Sequence, residues 1–140
     1  MNAREERFLD IIAAENLRLD LSALEYVAHW VTPVGPPRRF DTRFFVALAP
    51  AAQTAAHDAG ETVAETWVRP ASALAAARRG DLEMIFPTIK NLELIAALDD
   101  TTAVMAWARA RRHIARIEPR LVTRDGGVVV LMPGDDGYDG

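Results

Sequence analysis

The stretch Thr32-Pro33-Val34-Gly35-Pro36-Pro37 constrains this chain most. Three prolines remove backbone donors and fix φ, so neither a helix nor a ladder runs through it. It reads as a loop, and regular structure must lie on either side. Before it, Leu24 to Val31 is rich in aromatic and branched residues and predicts a strand. After it, Arg39 to Ala49 predicts the strongest strand, centred on Phe44, Phe45, Val46 and Leu48 and ended by Pro50. Glu61 to Val68 alternates Val63 with Glu65 and Trp67 and predicts a third strand, after a small, polar loop over Ala51 to Gly60.

Helical periodicity surrounds these strands. Ala3 to Glu15 carries Phe8, Leu9, Ile11 and Ile12 on one face. Leu17 to Leu21 reads as a turn into extended chain. Pro70 opens a helix that runs through Arg79, with Leu74 inward and Gly80 just past its end. Pro87 opens another, to Leu98. After the break at Asp99-Asp100, Thr101 or Thr102 is the expected cap of a third helix, ending near Arg112. His113 to Arg124 reads extended, and Asp125-Gly126 signals a hairpin between Leu121-Val122-Thr123 and Val128-Val129-Val130-Leu131. Pro133 to Gly140 is acidic and rich in glycine, and is expected to fray. The order is helix, three strands, three helices and a hairpin, an α+β pattern. One domain is expected over 1–140, with helix and sheet core in 1–70 and helices plus the hairpin in 71–140.

Composition narrows the function classes. The chain has 140 residues, half of them apolar, so it can build a core. With no cysteine, a disulfide framework and a thiolate zinc site are excluded. No apolar run approaches the ~20 residues that span a bilayer, and the N-terminus has no apolar signal-peptide stretch. A cytoplasmic protein without a membrane partner is the expectation. The 20 acidic residues outnumber the 16 basic ones, which argues against a nucleic-acid partner.

Few motifs carry chemistry. His29, His57 and His113 lie far apart, in no metal-ligand spacing. GxSxG, P-loop and GxGxxG patterns are missing, and nothing marks Ser22 or Ser72 as a nucleophile. In Pro36-Pro37-Arg38-Arg39-Phe40-Asp41-Thr42-Arg43, alternation puts Arg39, Asp41 and Arg43 on one face of a strand and Phe40, Thr42 and Phe44 on the other. Two readings fit: an Arg–Asp salt bridge on a strand edge, or guanidinium groups that grip phosphate or carboxylate. Asp58, Glu61 and Glu65 precede Trp67, and carboxylates gathered there would hold Mg²⁺ or simply form a solvated face. The tail Asp135-Asp136-Gly137-Tyr138-Asp139 lacks the distal Glu of a calcium loop.

Several blocks occur in an order that resembles a family. His29-Trp30-Val31-Thr32-Pro33, Pro37-Arg38-Arg39-Phe40-Asp41-Thr42-Arg43-Phe44-Phe45, Glu61 through Trp67-Val68, Phe86-Pro87-Thr88 and Leu131-Met132-Pro133-Gly134-Asp135 resemble the Nudix hydrolases, in the branch similar to acyl-coenzyme A diphosphatases. The resemblance covers nearly all of the chain. It implies an α/β/α sandwich with a mixed sheet, and attack of water on the diphosphate of a nucleoside diphosphate derivative such as coenzyme A. It also implies Mg²⁺ or Mn²⁺ held by a box ending R-E-x-x-E-E-x-G. No such box is found in this sequence. In the family the box precedes the segment matching Ala3 onward. The expectation is therefore the back part of the fold, without its opening strands and catalytic helix, from a shortened start, a mis-called start codon or a split gene. On the resemblance, Glu61 and Glu65 are the candidates for metal ligand and base, and Arg38 and Arg39 for diphosphate contacts. Phe40, Phe44 and Trp67 are expected in the core. A box-less homologue that binds nucleotide or coenzyme A, and a module that oligomerises or pairs with a missing N-terminal portion, are the alternatives.

Overall fold

A computed structural model of the chain describes residues 3–50, 66–124 and 126–139. The proline loop turns the chain back on itself. The segment before it forms β1 (Glu25–Val31) and the segment after it β2 (Asp41–Val46), and the two pair antiparallel with His29 opposite Arg43 and Trp30 opposite Thr42. A register shift between Tyr26 and Ala28 marks a bulge. The ladder is carried into the loop by Thr32, whose N–H donates to the Phe40 carbonyl at 2.9 Å and whose hydroxyl accepts from the Phe40 N–H at 3.0 Å. β2 is shorter than the expected Arg39 to Ala49. Val46 pairs with Glu25, the first residue of β1, so β1 offers no partner to the residues after it among the described residues.

Three helices follow. α2 (Pro70–Arg79) and α3 (Phe86–Ile95) pack together, and α4 (Thr101–Ala110) lies against β1. α2 has the expected ends: Pro70 in the first turn, and Gly80 at φ 81°, a left-handed conformation that suits glycine. The cap of α4 is Asp100 rather than either threonine. Its backbone is extended and its carboxylate accepts from the Ala103 N–H at 2.8 Å, while Thr101 and Thr102 already lie inside the first turn.

The third strand of the sheet comes late in the chain. β3 (Arg116–Ile117) joins the free side of β1 in parallel, giving the order β2-β1-β3 and a mixed sheet. Of the third strand predicted over Glu61 to Val68, Trp67 and Val68 lie in no strand, while residues 61 to 65 fall outside the described residues, as do Ala51 to Gly60. The predicted hairpin forms as β4 (Arg120–Arg124) and β5 (Gly127–Leu131), a separate two-stranded sheet. The architecture is thus α+β with a mixed three-stranded sheet and four helices among the described residues.

The core gathers on the central strand. Val27, Ala28, Trp30 and Val31 of β1 are buried with Ala73 and Leu74 of α2, Met105 and Ala108 of α4, and Leu131. α1 (Ala3–Ala14) forms as predicted, but Phe8, Leu9 and Ile11 are exposed, so its apolar stripe is not covered. None of the described helices is long and apolar enough to cross a membrane.

The tail does not fray as composition suggested. Asp135 accepts from the Met132 N–H at 2.7 Å, and the Tyr138 hydroxyl donates to the Glu118 carbonyl at 2.7 Å. The Arg120 guanidinium sits 4.9 Å above the Tyr138 ring, and Arg124 donates to the Asp136 carbonyl. The Arg120 and Arg124 side chains of β4 and the Glu118 carbonyl just before it hold a segment that its glycines alone would leave loose.

Candidate functional site

The alternation along β2 builds two unlike surfaces. Phe40, Thr42 and Phe44 fall on one side, as the sequence predicts, and with Trp30, Ile85 and Phe86 they line a hollow of about 340 Å³. Its walls are predominantly apolar, and its size is that of a small-molecule pocket. Trp30 fixes one wall. Its indole N–H donates to Asn91 Oδ1 at 3.0 Å, and its ring meets Phe86 edge-on, with centroids 5.9 Å apart and planes at 88°. Phe40 is 65% exposed and Trp67 75% exposed, so neither is the core residue expected from sequence. Phe40 is held at the surface because its backbone completes the pairing with Thr32. Phe44 is half-buried in the wall of the hollow.

The other side of the sheet is ionic. His29 lies between Arg43 on β2 and Arg116 on β3. Its Nε2 is 2.7 Å from Asp41 Oδ1, which also accepts from Arg43 at 3.1 Å. The hydrogen bond with His29 and the guanidinium of Arg43 hold the Asp41 carboxyl below its ordinary value of 3.8. Part of the salt-bridge reading is thereby borne out, between Asp41 and Arg43.

Arg39 makes a different contact. It donates from Nε to the Thr32 carbonyl at 3.0 Å and from its terminal nitrogen to Glu118 Oε1. Arg116 reaches Glu118 Oε2 at 2.6 Å. One carboxylate thus receives two guanidinium groups brought from distant parts of the chain. Arg38, the preceding residue, is exposed. Neither Glu118 nor Arg116 was singled out from sequence. The two-residue strand that carries Arg116 gives no periodic signal, and Glu118 lies 79 residues from Arg39.

The candidate carboxylates Glu61 and Glu65, with Asp58 and His57, lie outside the described residues. Among the described residues no group of three or more His, Asp or Glu side chains could hold a metal ion. The carboxylates that would hold the metal implied by the Nudix resemblance, Glu61 and Glu65, are thus not among the residues that can be tested for it.

The strand thus carries an apolar hollow on one face and paired arginines on the other. The whole chain is similar to human acyl-coenzyme A diphosphatase NUDT19. The two are 29% identical over 136 residues, which is 94% of this chain and 36% of that protein. The chain thus spans about a third of the length of the curated relative it matches. This distant similarity agrees with the resemblance to Nudix hydrolases seen in the motifs. No family model matches the chain, and no solved structure matches it.

Proposed function

We propose that this chain is the substrate-binding part of a Nudix-type hydrolase of nucleoside diphosphate derivatives, of the coenzyme A or acyl-coenzyme A kind, and that it is catalytically incomplete by itself. The observation that carries the reading is similarity along 94% of the chain to a protein named as an acyl-coenzyme A diphosphatase. The hollow beside Trp30, Phe40 and Phe86 supports it, because the acyl chain of such a molecule is apolar while its diphosphate is anionic. In this reading Arg38 and Arg39 contact the diphosphate, and the hollow takes the apolar arm. Glu61 and Glu65 serve as added metal ligands or base. Mg²⁺ or Mn²⁺ bound to a complete site would polarise the phosphate oxygens and activate water.

The test is binding and hydrolysis of coenzyme A, an acyl-coenzyme A and a panel of nucleoside diphosphate derivatives by the purified chain with Mg²⁺, beside a Glu61→Gln variant. The expected result is saturable binding, weakened by Arg39→Ala, without turnover. Lack of binding by the folded chain would overturn the reading. Turnover lost in Glu61→Gln would overturn the claim of incompleteness. An interaction module is the second reading, favoured by the exposed apolar residues of α1 and by Val128, which is 70% exposed. A stable oligomer that binds none of these molecules would support it.

A further inference from the structure

We propose that Arg39 and Arg116 form a two-guanidinium phosphate site in which Glu118 occupies the position of the ligand until a phosphate group displaces it.

The geometry is that of a bound anion. Glu118 lies between β3 and β4, and its two oxygens are divided between two arginines, Oε1 to Arg39 and Oε2 to Arg116. Arg39 is anchored by a second hydrogen bond, from Nε to the Thr32 carbonyl at 3.0 Å, so its fork is already oriented. Paired planar guanidiniums are the arrangement that grips carboxylate or phosphate, and phosphate offers more charge and a further acceptor oxygen.

Stability gives little reason for this convergence. The Arg39 and Arg116 side chains are 40% and 53% exposed against 22% for Glu118, and ion pairs whose cations are this open to solvent contribute modestly. Glu118 also lines a second, more polar hollow of about 470 Å³ with Val34, Pro119, Arg120, Leu121 and Tyr138, which Arg39 and Arg116 do not line. A phosphate group would take the place of the Glu118 carboxylate as that side chain swings into the hollow it borders. Nothing covalent is required, only exchange of one anion for another.

The inference rests on the reading above in taking the substrate's diphosphate as the natural occupant, but it assigns two residues which that reading does not contain. Its test is calorimetric titration of the full chain with inorganic pyrophosphate at low salt. Removing the internal competitor in Glu118→Gln should tighten binding about tenfold, equivalent to about 1.4 kcal/mol. The tail tie survives that change, because Tyr138 bonds the Glu118 backbone carbonyl rather than its side chain. Arg116→Ala should weaken binding at least tenfold. Arg116→Lys, which keeps the charge and loses the fork, should weaken it as well. Arg79→Ala, which removes a remote exposed arginine paired with Asp81, should change nothing. Circular dichroism would establish that each variant is folded. Glu118→Gln binding no tighter than the unaltered chain, or Arg116→Ala binding as tightly, would overturn the proposal. A coenzyme A titration separates the two readings. Pyrophosphate following this pattern while coenzyme A fails to bind would leave the site standing and remove the function proposed above. Coenzyme A binding equally well to Arg116→Ala would do the reverse.

Discussion

Replacing Trp30 with Phe should destabilise the chain in a way that a second substitution partly repairs. Trp30 is 5% exposed, and its indole N–H donates to Asn91 Oδ1 at 3.0 Å. Phenylalanine leaves that acceptor without its donor, at a cost of about 1–3 kcal/mol. It also loses part of the edge contact with Phe86, worth about 0.5–1.5 kcal/mol. The single variant should therefore lose about 2–3 kcal/mol. Asn91→Leu behaves differently. It orphans the Trp30 donor, but it also removes Asn91 Nδ2, a buried nitrogen that has no hydrogen-bond partner among the described residues. The two effects have similar size and opposite sign, so this variant should be nearly neutral. Joining the two substitutions replaces both partners by apolar groups, and the double variant should recover about 1–2 kcal/mol relative to Trp30→Phe. Urea denaturation of the four proteins, with a common m-value, measures the cycle. A double variant no more stable than Trp30→Phe would refute the reasoning, because it would mean that the hydrogen bond contributes nothing at the wall of the hollow.

Three further outcomes follow from the same structure. Asp100→Ala removes the side-chain cap of α4 and should cost about 1 kcal/mol, a downward shift of a few degrees in thermal unfolding. Phe40→Ala should leave stability within about 0.5 kcal/mol, because the ring is mostly exposed, yet weaken acyl-coenzyme A binding roughly tenfold; Phe45→Ala, on a ring that meets Tyr26 instead, should leave that binding unchanged in the same titration. Asp41 has its native carboxyl held low, first by His29 and then by Arg43, so its contribution is full above the ordinary value of 3.8 and disappears as pH falls below it. Asp41→Asn should accordingly flatten the acid limb of a stability–pH curve, and an unaltered limb would contradict the pairing.

What could be read from sequence was what local chemistry decides. Pro70 and Gly80 mark the ends of α2 because each acts on its own backbone. The division of β2 into an ionic and an apolar side follows from a period of two and needs no knowledge of the fold. Asp41 and Arg43 meet for the same reason. The partner of Arg39 was not legible, since Glu118 reaches it only after the chain has passed through three helices and returned to the sheet. The tail was misread because glycine and aspartate describe its freedom, whereas Arg120, Arg124 and the Glu118 carbonyl restrain it from elsewhere. The Glu61 and Glu65 assignment lies outside the described residues and stays a proposal.

The order β2-β1-β3 also has a bearing on how the chain is made. The antiparallel pair is available once residue 46 has been synthesised, but the other edge of β1 waits for Arg116 and Ile117. During that interval the most buried of the described strands presents unpaired donors and acceptors along one side. Distant pairings of this kind close slowly, and open edges are where chains associate with the wrong neighbour. A nascent chain halted before residue 116 would carry that edge uncovered, so pausing in synthesis between α2 and β3 should favour aggregation, whereas pausing after β3 should not.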